Sequence, residues 1–379
     1  MIRIDTQTYN LLRISLAFGA GSNKAVKTCV ELHEKGLLDS SPDNILSSGV
    51  FDEKAREKIE AVKPQQIDAV INDCEDFDIR IVTIFDEEYP RRLKNIPVPP
   101  VVLYVKGNLP DIDESPLFCI VGPRKVSNFG KKAAFSLSRR LSKAGMTAVS
   151  GTAAGADTSV HLGAFDAKSA SVMVAADGIL TQMKSGNRGL CGKVLERGAI
   201  ISENPPREIA AKYSFPVRNR IMSGISIGVA VVEAPLKSGA LITAGHALEQ
   251  GKDVFVVPGC PADKCYEGSN ALLRDGAIPL LDAFDVFSRY IFDFPEKIDI
   301  EKAFSEGDRA LKKNLQKKSV QSLSNEARLV YNNLVKPEFT VDDLSNIDID
   351  GAALLSALTE LEMEHLISAL PGGLYKIIV

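Results

Sequence analysis

The sequence predicts an α/β protein: a parallel, doubly wound sheet at the centre, a helical region before it and a small winged-helix-like unit after it. Three observations predict this. Between about residues 115 and 290, short runs rich in Val, Ile and Ala alternate with amphipathic helical stretches. Each run is followed at once by a glycine-bearing or polar motif, as at "VGPRKVSNFG" and "VSGTAAGAD". The flanks carry helical spacing without such runs.

Composition narrows the function classes. The chain has 379 residues, 45% hydrophobic and 25% charged, the balance of a globular protein with two or three domains. No apolar run approaches the roughly 20 residues that span a bilayer, and the start "MIRIDTQTYN" lacks the apolar stretch of a signal peptide. A cytoplasmic protein without a membrane partner is expected. The six cysteines form no C-x-x-C pair, so buried reduced thiols are expected, and the four histidines make no ligand spacing. Neither a metal nor a cofactor is called for. A net charge of -4 speaks against nucleic-acid binding by bulk charge, yet leaves room for a local basic pocket, because fields act within a Debye length.

Residues 1 to about 105 read as short helices and then an extended segment. "NKAVKTCVELHEKGLL" places Val26, Cys29, Val30 and Leu37 at helical spacing, and Gly36, Gly49 and "SSPDN" punctuate. In the centre, strands are expected at 118–121, 146–149, 171–175, 199–202, 228–232 and 253–257. The helix after the first has Phe129, Ala133, Leu137 and Leu141 on its apolar face. A lysine-rich stretch, "EGDRALKKNLQKKSVQS", reads as a linker. The last part orders as helix, short helix, longer helix and a "LISAL"/"LYKII" hairpin. Its third helix, "DGAALLSALTELEMEHL", lacks Arg and Lys, which favours protein contact over DNA contact.

Every special motif follows a strand, so one shared rim is implied. Gly122 and Gly130 bracket Arg124 and Ser127 on a turn into a helix, whose free N–H groups favour an anion. Ser238 and Gly239 repeat that design beside Lys237, with Ser238 as cap. In "FPVRNRIMSGIS" Pro216 marks a helix start. Arg218 and Arg220 are two residues apart and cannot share a helical face. One of them is expected at the rim, and the other in a pair with Glu203 or Glu233 or in solvent. Enzyme signals are poor. "GNRGLCGKV" has the wrong glycine spacing for a P-loop, and no G-x-G-x-x-G follows a strand. Asp157 and His161, four apart, read as a satisfied helix pair.

Taken together, "IVGPRKVSNFG", "VSGTAAGADTSVHLGAF", "ISENPP", "FPVRNRIMSGIS", "VVEAPLKSGALITAGHALEQGKDVFVVPG" and "GSNALLRDGA" resemble the DNA-processing protein A (DprA/Smf) family over roughly residues 80 to 290. The resemblance implies an extended Rossmann-like core at 81–295, a helical N-terminal domain at 1–80 of the SAM or helix-hairpin-helix kind, a linker at 296–322 and a winged-helix-like domain at 323–379. It implies a non-enzymatic homodimer that binds single-stranded DNA, protects incoming strands in natural transformation and loads the RecA recombinase. By position it gives Arg124, Lys212, Phe215 and Lys237 to the DNA pocket. With the turns above, the expected DNA-binding set is Gly122, Arg124, Ser127, Gly151, Lys212, Phe215, Arg218, Asn219, Arg220, Lys237, Ser238 and Gly239. The chain departs from the family pattern at Pro123, where Ser or Thr is usual, at Ala154, where Arg is frequent, and in "AADGILTQMK". The rival readings are a nucleotide sensor or phosphoribohydrolase-like enzyme on a related core, and a partner-binding scaffold.

Overall fold

The computed structural model describes residues 4–304, 323–334, 338–363, 366–370 and 372–377. Chain contacts divide it into two units, Met1–Ala303 and Phe304–Val379. The linker expected over 296–322 lies outside the described residues from 305 onward.

The first unit is built on a nine-stranded sheet. Its strands are β1 (Arg80–Thr83), β2 (Val102–Gly107), β3 (Leu117–Val121), β4 (Thr147–Ser150), β5 (Ser171–Ala175), β6 (Ala199–Ser202), β7 (Gly228–Val231), β8 (Asp253–Val256) and β9 (Ile278–Pro279). The order is β1-β2-β6-β5-β4-β3-β7-β8-β9. From β6 to β9 every pairing is parallel, whereas β2 joins β6 and β1 joins β2 antiparallel. The chain winds outward from β3 through β4, β5 and β6, returns to the far side of β3 as β7, and continues outward through β8 and β9. This is a doubly wound, Rossmann-like sheet whose switch point lies between β3 and β7.

All six expected strands form, within a residue of their expected ends. They read as continuous apolar runs because both faces are covered. Successive residues of one strand enter different cores. Met173 and Ala175 pack with Leu11, Leu12, Cys29, Leu32 and Ile67 of the helical N-terminal region, and Val172 and Val174 pack with Ile221, Met222, Ala240 and Ala244 on the other face. The N-terminal helices therefore share a hydrophobic cluster with the sheet.

Those helices begin where short polar side chains satisfy free N–H groups. Asp5 accepts from Thr8 N at 2.7 Å, Ser22 from Ala25 N at 3.2 Å and Asp52 from Ala55 N at 2.8 Å. Gly21 lies at φ +71°, and a Cβ there would meet Val217 Cγ1 at 2.5 Å, so the chain approaches the Ser214–Gly224 helix closely only because this residue is glycine.

Two expectations about exposure are corrected. Phe129 is 56% exposed, because the Asn128–Lys143 helix buries Gly130, Ala134, Leu137, Ser138 and Leu141 instead. Four thiols, Cys29, Cys74, Cys119 and Cys191, are buried and free, but Cys260, in the loop after β8, is exposed, and Cys265, in the short 3-10 helix Lys264–Tyr266, is half-buried. No helix among the described residues is long and apolar enough to cross a membrane.

The second unit holds the Asn325–Asn332 and Gly351–Met363 helices and a three-stranded antiparallel sheet. Its strands are β10 (Glu338–Thr340), β11 (Ile367–Leu370) and β12 (Leu374–Ile377), in the order β10-β12-β11. The β11/β12 hairpin pairs Leu370 with Leu374 across a turn with Gly372 and Gly373 at positive φ. Ala327, Val330, Phe339, Leu358 and Leu361 form its core.

Candidate nucleic-acid interface

Beyond the carboxyl ends of β3 and β7, loops from three crossovers enclose a cleft of about 360 Å³. The β3 loop contributes Gly122, Pro123 and Arg124, and the β4 loop and helix contribute Ala153 and Asp157. The Ser214–Gly224 helix supplies Phe215, Arg218 and Asn219, and the β7 loop supplies Lys237, Ser238 and Gly239. Eight of the expected residues thus meet in one place at the switch point.

Each cation is held differently. Arg124 is exposed, and its guanidinium stands over the Phe215 ring at 4.6 Å from the centroid. Arg218 is buried. Its Nη1 donates to Val174 O and its Nε to Asn219 Oδ1 at 3.1 Å, so it sits on the cleft floor at the end of β5. Burial lowers its pKa, against which the Asp157 charge pulls it up. The converse holds for Asp157, where burial pushes the carboxyl above its ordinary value and Arg218 opposes. Lys237 precedes the Gly239–Glu249 helix, which Ser238 caps by accepting from Ala240 N at 3.2 Å. Asn219 Nδ2 donates to Gly239 O at 3.3 Å and ties the two helices together.

Gly151 lines no part of the cleft, but its lack of a side chain shapes the floor. A Cβ there would lie 2.5 Å from Asp157 Oδ2 and 2.6 Å from both terminal nitrogens of Arg218. Its carbonyl accepts from His161 Nε2 at 3.0 Å, and His161 Nδ1 accepts from the Ser171 hydroxyl at 3.1 Å. The expected Asp157–His161 pairing is therefore replaced. Burial holds the imidazole neutral, its pKa lowered to about 4.

Three further members of the expected set stand apart. Ser127 caps the Asn128–Lys143 helix, but the anion at that N-terminus belongs to the chain itself. Glu233, 1% exposed, takes Ser127 N at 3.1 Å and Ser127 Oγ at 2.5 Å. The helix end expected to be open to an external anion is therefore filled. Arg220 is fully employed below the cleft: Nε donates to Val98 O at 2.8 Å, Nη1 to Val217 O at 2.9 Å and Nη2 to Glu203 Oε1 at 2.8 Å. Glu203 is thus the carboxylate partner, and the same oxygen accepts from Gly21 N at 2.9 Å. Lys212 is exposed, ahead of a helix that begins at Ser214 and not at Pro216, and it does not line the cleft.

Asp157 and Thr243 line the cleft without having been singled out for it. A signal for Asp157 existed, since an acid in the first turn of a helix that follows a strand and a glycine turn belongs at the same rim as the cations.

The model of the DNA recombination-mediator protein A family matches residues 80–291. The chain is 34% identical over 272 residues to the DNA processing protein DprA of Bacillus subtilis, spanning 68% of this chain and 88% of that protein. To protein Smf of Escherichia coli it is 36% identical over 207 residues, 54% of this chain and 55% of that protein. The X-ray structure of DprA from Streptococcus pneumoniae superposes with a TM-score of 0.66 at 28% identity, over 75% of this chain and 98% of that one. The structure of Helicobacter pylori DNA processing protein A, described for its single-stranded DNA binding mode, gives a TM-score of 0.52 at 26% identity, over 57% and 97% of the two chains.

Proposed function

Because this chain belongs to the DNA recombination-mediator protein A family, we propose that it binds single-stranded DNA in the cleft at the β3/β7 switch point. One observation carries the reading: Arg124, Arg218 and Lys237 line a single cleft together with an aromatic ring and a helix N-terminus. Cations take phosphates, the N–H groups at the start of the Gly239–Glu249 helix assist, and the Arg124–Phe215 pair offers a surface to a base. Two exposed cations, Arg124 and Lys237, flank a buried Arg218 that the fold holds in place, so a bound phosphate meets one preorganised charge and two at the surface.

The lining set contains no histidine or cysteine, and its one carboxyl, Asp157, faces Arg218. That composition suits binding better than hydrolysis. The family further supports a role as a homodimer that protects incoming strands and delivers them to a RecA-type recombinase. Mixing the purified protein with RecA and coated single strands tests the delivery: faster filament formation is expected.

The class itself is tested by titrating fluorescent oligo-dT against duplex of equal length at two salt concentrations. Preference for the single strand, weakening as salt rises, is expected. Equal affinity for the two would overturn the reading.

A further inference from the structure

On the opposite rim of the sheet, where β3 and β8 begin, a second cleft of about 390 Å³ is lined by Arg91, Arg92, Asn95, Asp113, Gln250 and Lys252. None of these residues belongs to the cleft described above. One of them carries an unmet demand.

Lys252 is a cation partly withdrawn from water. Burial lowers its pKa, and the neighbouring Arg92 charge lowers it further. Among the described residues no carboxylate lies within ion-pair distance of its amine. The acid of the cleft, Asp113, is already engaged: it accepts Arg91 N at 2.7 Å and Arg92 N at 2.8 Å, and Arg91 Nε lies 3.5 Å away. Arg92 donates to Ser115 O and Asp113 O, both at 2.8 Å, which fixes its charge in the wall. Arg91 is 77% exposed and its carboxylate contacts, at 3.5 and 3.7 Å, are loose enough to be exchanged.

Gln250 is tied into the wall, its Nε2 donating to Arg220 O at 3.0 Å. A half-buried cation without a counter-charge is destabilising, and an anionic ligand resolves it. The volume lies within the range of small-molecule sites.

We propose that the cleft between Arg91, Arg92 and Lys252 is a second phosphate site that takes a nucleotide through its phosphate, held on Lys252 and Arg91 in the field of Arg92. The nucleotide is either free or one unit of a nucleic-acid strand. The Gly239–Glu249 helix connects the two clefts, since its first residues line the one and the chain just past its end lines the other.

Calorimetric titration of the full chain with dAMP tests this, in parallel with oligo-dT binding at several salt concentrations. Saturable dAMP binding is expected. It should weaken about tenfold in Lys252→Ala, the loss of one charge-assisted contact, weaken in Arg91→Ala, and persist in Lys237→Ala. The exposed Arg91 side chain makes Arg91→Ala the safeguard should Lys252→Ala fail to fold. If the phosphate belongs to a strand, Lys252→Ala also lowers the salt slope of oligo-dT binding by about one unit; if it belongs to a free nucleotide, oligo-dT binding stays at the wild-type value. Absence of dAMP binding together with unchanged oligo-dT binding in Lys252→Ala overturns the proposal. So does dAMP binding that is lost in Lys237→Ala and kept in Lys252→Ala, which would put the ligand in the first cleft. Neither result depends on whether the first cleft binds single strands.

Discussion

The guanidinium of Arg124 lies 4.6 Å from the centroid of the Phe215 ring. Two residues 91 positions apart in sequence thereby form one surface, a cation set beside an aromatic ring. The pair separates charge from stacking, and the two can be measured apart. Arg124→Ala should lower the salt slope of oligo-dT binding by about one unit. Phe215→Ala should weaken binding by roughly 1–3 kcal/mol with the slope unchanged. Indistinguishable slopes in the two variants would contradict this division.

Gly151 tests the floor of the cleft. A methyl group there meets Asp157 Oδ2 at 2.5 Å and both Arg218 terminal nitrogens at 2.6 Å. Gly151→Ala should displace Arg218, destabilise the fold by about 1–3 kcal/mol through overpacking, and weaken oligo-dT binding about tenfold. A crystal structure of the variant with Arg218 unmoved would refute the steric account.

Arg220 is assigned to the framework. It and Glu203 are both 8% exposed, and their ion pair is 2.8 Å long. Arg220→Ala leaves a buried carboxylate uncompensated and should cost about 3–5 kcal/mol in urea unfolding, whereas Arg220→Met combined with Glu203→Met should recover much of it. Oligo-dT affinity of the folded fraction should be close to wild type. A variant as stable as wild type but unable to bind DNA would move Arg220 into the interface.

His161 predicts an acid sensitivity with a definite window. Its folded-state pKa is lowered to about 4 from 6.5, so the unfolded chain binds the proton more readily. The stability it protects is fully present above about pH 6.5 and drains as pH falls towards 4, to a total of about 3 kcal/mol at 1.36 kcal/mol per unit. Urea midpoints measured across that window should fall for wild type and fall less for His161→Gln. Parallel curves for the two proteins would argue against it.

Much of the fold was legible because both faces of the sheet are covered. A strand such as "SVMVA" reads as an unbroken apolar run, and the run gives the strand directly. β9 left no such trace, as two residues ending in proline carry no pattern. Position along a strand also located the cleft, since residues that follow β3, β4 and β7 converge wherever the order reverses. What spacing cannot supply is competition for the same group. "GPRKVSNFG" announces a helix N-terminus, but nothing local says that Glu233, 106 residues on, fills it. Likewise Arg218 and Arg220 look alike in sequence and both are buried, and only the position of Glu203, which also accepts from Gly21 N, ties one of them into an ion pair below the cleft.

The edge strand β9 has a bearing on self-association. Leu280 N donates inward to Val256 O, so Pro279, which sits between that residue and Ile278, has its ring nitrogen on the side away from β8. A neighbouring chain trying to extend the ladder there meets two residues of backbone and no hydrogen to accept. Ladder-like growth along this border is thereby blocked.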